Sequence, residues 1–224
     1  MKLIMYSNPK TGTSTVEFNA KQSLGESKVM IVNKPNMDDF DALSDTQICA
    51  LDFVSGHRLT QERLNRLRRL QKGCEVITLF RSPAEQIVSA YNYDTNYKYG
   101  RKIPFWFWYR FLIPKNPQAS HFVRRFQGKW RASFVLSSAD FKQIVAGYEQ
   151  FNRVILTENI NKEIPRVYKN VGIDLVNEEL VRRKATGKDY IKYLILDEKL
   201  KNRIEKENKL DYQLYEYFKS QSTL

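Results

Sequence analysis

Apolar residues along the chain come in short runs set between polar stretches. Leu3–Tyr6, Lys28–Val32, Gln47–Val54, Glu75–Phe80 and Asn152–Asn159 have the length and β-branched or aromatic content of buried strands. Helical patterns fall between them. Val16–Lys21 continues from the first strand as a helix. Thr60 caps a helix that carries Leu64, Leu67 and Leu70 on one side and closes at Gly73. Ser82 and Pro83 suit the N-cap and first position of a helix running to Tyr93. Further helices are expected over Asp140–Gln150, Ile164–Val171 and Leu210–Phe218, and a Pro- and Asp-rich loop over Asn33–Asp45. Strands alternating with helices predict an α/β fold: one domain over residues 1–224, a parallel sheet flanked by helices, and a helical C-terminus. In such sheets ligands bind beyond the carboxyl ends of the strands.

The 45 residues from Thr95 to Ala139 break this pattern. They hold nine lysines and arginines, all three tryptophans and no Asp or Glu. We read the stretch as a basic aromatic insertion in the sheet-and-helix pattern. Pro104–Pro114 is too continuously aromatic for a simple amphipathic helix; core packing and contact with a sugar or headgroup layer both suit it. The whole chain has a formal charge of +12 over 224 residues, which calls for an anionic partner. No run of 18 apolar residues exists, and the chain enters a strand at once, so neither a transmembrane helix nor a signal peptide is expected. Cys49 and Cys74 read as buried free thiols, which fits a cytoplasmic protein. No metal site is indicated.

Chemistry concentrates at three strand exits. The first is Ser7-Asn8-Pro9-Lys10-Thr11-Gly12-Thr13-Ser14-Thr15. A strand, a Gly-containing loop and a helix start make an anion cradle, because first-turn N–H groups lack intrahelical partners and the helix dipole favours negative charge. Lys10 adds a mobile cation and the hydroxyls add donors. The loop is not a Walker A motif, in which Lys follows the second Gly; here Lys10 precedes Gly12. The second exit is Arg81, with Ser89 eight residues on inside the following helix. Its planar fork suits phosphate. The third is Ser55-Gly56-His57.

The order P-K-x-G-T-[ST]-[ST] resembles the 5′-phosphosulfate loop of sulfotransferases that use 3′-phosphoadenosine 5′-phosphosulfate (PAPS). Arg81 to Tyr91, with Ser89, is similar to their 3′-phosphate motif. Leu156-Thr157-Glu158 and Leu210–Phe218 resemble the last strand and closing helix of the Golgi-type and bacterial carbohydrate branch. This resemblance covers most of the chain outside the basic segment, residues 95–139, which by its position would be an acceptor-side insertion. It implies a P-loop-like fold and PAPS as co-substrate, with adenosine 3′,5′-bisphosphate as product. It also implies a saccharide or glycolipid hydroxyl as acceptor, peripheral membrane contact and no role for nucleic acid. Lys10 would meet the leaving bridging oxygen, Thr11, Gly12, Thr13, Ser14 and Thr15 would cradle the 5′-phosphate, and Arg81 and Ser89 would bind the 3′-phosphate. The resemblance places a general base at His57, whose imidazole is the side chain suited to proton transfer near neutral pH. Glu17, Glu158 and His121 are the alternatives. Arg183 and Lys184 resemble a basic stretch that covers the 3′-phosphate in relatives, interrupted here by Ala185. Two other classes share these features: a small-molecule kinase using the same loop, and a non-catalytic binder of polyanions or membrane surfaces.

Overall fold

A computed structural model of the chain describes residues 2–100, 102–130, 136–177, 180–181 and 190–222. Arg183 and Lys184 lie outside them. Five strands form one parallel sheet: β1 (Leu3–Tyr6), β2 (Val29–Ile31), β3 (Phe53–Gly56), β4 (Glu75–Phe80) and β5 (Arg153–Leu156), in the order β2-β3-β1-β4-β5. Leu3 pairs with Phe53 on one side and Glu75 on the other, so β1 is central. The β1-to-β2 and β3-to-β4 connections run in opposite directions across the sheet, which opens a crevice at the carboxyl end of β1.

Alternation along the strands divides the core into two layers. Ile4, Tyr6, Val54, Val76 and Phe80 face one side. There they meet Leu64 and Leu67 of α4 (Gln61–Leu70), Tyr148 of α8 (Phe141–Tyr148), Phe122, and Leu210, Leu214 and Phe218 of α11 (Lys209–Ser222). Leu3, Met5, Phe53, Ile77 and Ile155 face the other side. They meet Val16 and Ala20 of α1 (Thr13–Leu24) and Ile164, Val167 and Tyr168 of α9 (Ile160–Asn170). Each of these aliphatic side chains contributes about 1.5–3 kcal/mol by leaving water. A third cluster joins α5 (Pro83–Tyr93) to Trp108 of α6 (Phe105–Phe111) and Ile204 of α10 (Glu198–Glu207).

Three sequence expectations change. Gln47–Val54 is not one strand: α3 (Asp45–Cys49) ends there, capped by a Ser44–Gln47 box, and pairing begins only at Phe53. Cys49 is therefore exposed at a helix end, and Cys74 is half-buried. The Asn33–Asp45 loop contains α2 (Met37–Ala42), whose Phe40 is wholly buried. The aromatic run is a short helix with mixed roles. Trp108 is 1% exposed and donates to Asp94 at 3.0 Å, while Phe107 and Phe111 are 53% and 67% exposed.

Two wide π turns flank the crevice. Asp94–Lys98 extends α5, closing with Tyr99 N–H on the Asp94 carbonyl. Phe122–Phe126 extends α7 (Pro117–His121), closing with Gln127 N–H on the Phe122 carbonyl. The second is anchored by α11. Buried Asp211 accepts from the N–H groups of Gln118 and Ala119, both at 2.9 Å. Asn116 and Asn208 complete the clasp, with Asn116 accepting from Leu210 and Asp211 N–H and donating its own N–H to Asn208.

Candidate active site

The loop after β1 turns tightly. Lys10 and Gly12 both take positive φ, 62° and 89°, a conformation that costs little only at Gly. The loop is pinned from below. Thr11 is fully buried and donates to the Asn8 carbonyl at 2.9 Å, and Thr157 donates to the carbonyls of Thr11 and Phe80. Asn8 in turn donates to the Leu79 carbonyl. The start of α1 is left without a side-chain cap or an acidic first turn, so its N–H groups and dipole remain available to an anion.

A cavity of about 920 Å³ opens over this helix start, lined by Lys10, Gly12, Thr13, Ser14, His57, Arg58, Tyr93, Asp94, Tyr97, His121, Arg124 and Arg125 among others. Its volume lies within the range of ligand pockets. Lys10 stands with its ammonium 3.6 Å from the centre of the Tyr93 ring. Burial lowers its pKa to about 8, partly opposed by Asp94 and assisted by Arg81. A cation already partly stripped of water binds an anion with less desolvation left to overcome.

His57 enters this cavity from the end of β3. Gly56 has a φ of 147°, and a Cβ there would lie 2.2 Å from the Val32 carbonyl oxygen. Only glycine fits, and the turn it permits sets His57 N–H near Asn33 and Arg58 N–H on Val32. His57 Nδ1 lies 2.6 Å from the Ser7 carbonyl oxygen. A carbonyl only accepts, so Nδ1 carries the proton, and the neutral ring presents Nε2 as a base. The His121 ring stands edge-on 5.8 Å from it. Burial, His57 and the neighbouring arginines hold His121 well below the ordinary histidine pKa.

The other candidate bases are engaged elsewhere. Glu17 accepts from the hydroxyls of Ser55 and Ser7, and Glu158 from Tyr215 at 2.6 Å. Neither lines the cavity. Thr11 and Thr15 are also outside its lining.

Arg81 and Ser89 stand in a second cavity of about 400 Å³, with Tyr190, Lys192 and Leu194. Arg81 is held by a reciprocal pair of bonds between its backbone and the Gln118 amide. Its guanidinium bonds Glu85 at 3.1 Å and reaches the Lys10 carbonyl at 3.3 Å, which ties the wall of the second cavity to the loop. Arg58, Tyr93, Asp94 and Tyr97 are lining residues that the sequence reading passed over. Adjacency of Arg58 to His57 and the i, i+4 spacing of Tyr93 and Tyr97 were the available signals. Among the described residues, no group of three or more His, Cys, Asp or Glu is placed to hold a metal, and no helix is long and apolar enough to cross a membrane.

The five-stranded sheet with this loop at the end of its central strand is the P-loop-like α/β fold that sulfotransferases have. A sulfotransferase from Alicyclobacillus acidocaldarius is similar in structure, with a TM-score of 0.51 over 94% of this chain and 92% of that chain at 12% identity. Mouse sulfotransferase SULT7A1 complexed with PAP is matched with a TM-score of 0.45 over 92% of this chain and 63% of that chain at 13% identity. No protein-family model matches the chain, and no curated protein matches it in sequence.

Proposed function

We propose that the protein is a sulfotransferase that moves a sulfuryl group from PAPS to an acceptor hydroxyl. The observation that carries this reading is the shared cavity: an uncapped helix start, a half-desolvated lysine and a histidine of fixed tautomer face one another there. When bound, PAPS supplies an activated sulfuryl group, whose bond to the 5′-phosphate breaks as a new S–O bond forms to the acceptor. The residues supply the rest. The loop N–H groups of Gly12, Thr13 and Ser14 hold the 5′-phosphate, with Thr11 and Thr15 shaping the loop from beneath. Lys10 neutralises the oxygen that departs. Arg81 and Ser89 take the 3′-phosphate in the adjoining cavity. His57 Nε2 accepts the acceptor proton as the new bond forms.

A saccharide or glycolipid acceptor is supported by the far wall. Tyr93 and Tyr97 are aromatic lining residues, and α6 leads with its exposed Phe107 and Phe111 to Ile113 and Pro114, which line the same cavity. Aromatic and cationic groups together suit a headgroup layer.

Thermal-shift measurement tests the donor. Adenosine 3′,5′-bisphosphate should stabilise the protein at concentrations where ATP with Mg²⁺ does not. The reverse order would make it a kinase, and no response to either would make it a binder. Sulfuryl transfer from PAPS to glycan, lipid and phenolic acceptors then tests the reaction.

A further inference from the structure

One part of the cavity wall is left over once donor and base are assigned. Arg58, Arg124 and Arg125 converge on it beside His121. Arg58 follows His57 out of β3, whereas His121, Arg124 and Arg125 come from α7 and its π turn, so two separate elements bring these cations together. Among the described residues none of the three arginines forms an ion pair. Arg124 and Arg125 rest instead against the face of Trp130, at 5.0 and 5.4 Å. Arg124 Nε and His121 Nε2 are both buried without a hydrogen-bond partner, and His121 is only 9% exposed. Burial, and after it repulsion from Arg58, lowers both arginines from the ordinary guanidinium value. The carboxylate in the lining, Asp94, is occupied by Trp108 and Lys98.

Converging cations without a counter-charge, with buried polar atoms left unpartnered, are costly unless a ligand pairs them. We infer that this wall is an anion subsite of the acceptor, and that the acceptor carries a carboxylate, sulfate or phosphate group close to the hydroxyl that reacts. This rests on the sulfotransferase reading and narrows its substrate class. His121, beside this wall, has its ring 5.8 Å from that of His57, so the wall and the proposed base belong to the same end of the cavity. A planar guanidinium fork gives such a group two parallel hydrogen bonds and fixes the orientation of the ring that bears it.

The test is calorimetric titration of the full chain, saturated with adenosine 3′,5′-bisphosphate, with methyl β-glucuronide, glucose 6-sulfate, glucose 6-phosphate and methyl β-glucoside. The charged sugars should bind at least about tenfold more tightly than the neutral one, and their ranking identifies the anion. Arg124→Gln combined with Arg125→Gln should remove about ten- to a hundredfold of that affinity and leave nucleotide affinity unchanged. The single variant Arg58→Gln, on the other element, serves if the double variant does not fold. No preference for the charged sugars, or a preference that survives all these substitutions, overturns the inference. If the nucleotide fails to bind while the arginine-dependent preference is present, the sulfotransferase reading falls and the anion subsite stands.

Discussion

The imidazole of His57 is fixed by the backbone of Ser7: Nδ1 donates to the Ser7 carbonyl at 2.6 Å across the β1–β3 edge. The same residue that opens the Lys10 loop therefore sets the tautomer of the proposed base. His57→Ala should lower kcat by about 10²–10⁴-fold, the contribution of a positioned base. Affinity for adenosine 3′,5′-bisphosphate should not change, because the base touches no phosphate. A variant that keeps near-normal kcat would move the base to His121, Glu17 or Glu158. One that loses the nucleotide would make His57 a donor-side residue.

Lys10 should give the proposed donor site a pH dependence. With its pKa lowered to about 8 in the free protein, the ammonium is present below that value and lost above it. A bound 5′-phosphate favours the charged form and raises the pKa, so binding takes up a proton in the window above 8. Donor affinity should fall as pH rises through about 8, and titration at about pH 9 in buffers of different ionisation enthalpy should register proton uptake. Lys10→Met should abolish that uptake. Equal affinity on both sides of pH 8 would remove Lys10 from the phosphate.

Arg81 should read the 3′-phosphate. Arg81→Ala is expected to cost about 1.5–3 kcal/mol in affinity for adenosine 3′,5′-bisphosphate, the value of a charge-assisted contact. Affinity for adenosine 5′-phosphate should change little. Equal losses for both nucleotides would mean that Arg81 acts by holding the Lys10 carbonyl rather than by meeting the 3′ group.

The acceptor wall depends on Asp211, which holds the start of α7 by two N–H bonds. Asp211→Ala leaves both donors buried and unpaired, at about 1–3 kcal/mol each, so thermal unfolding should occur at a clearly lower temperature. Burial pushes the carboxyl up to about 7. The folded state thus holds a proton that the unfolded state releases at lower pH, and this group's contribution to stability declines as pH rises towards 7. Asp211→Asn cannot titrate. The wild-type advantage over it should therefore shrink across the same range, and a constant difference would show that Asp211 is ionised throughout.

The sheet was legible where a strand is buried on both faces. Leu3–Tyr6 is an unbroken apolar run and Glu75–Phe80 is apolar apart from Glu75 and Thr78, and both form strands where the pattern places them. Gln47–Val54 misled because Ile48 and Leu51 enter the core from α3 and the turn after it, not from a strand. Period alone cannot separate these for a short run. The loop at Lys10 and the histidine after Gly56 were visible because their backbone geometry demands particular residues. The convergence of Arg58 with Arg124 and Arg125 was not visible, since it depends on how α11 clasps α7, and that clasp lies some ninety residues away in sequence.

The π turn at Phe122–Phe126 holds one residue more than an α turn would. Removing one residue there would close the turn and rotate everything beyond it by roughly 100°. The arginine pair would leave the wall while the Lys10 loop stayed as it is. Under the proposed function, a single-codon insertion or deletion there would change the acceptor wall with no change in the residues assigned to the donor. An alignment that absorbs such a gap without marking it would pair side chains that point roughly 100° apart around the helix. Relatives would then be grouped by substrate on positions that never meet it.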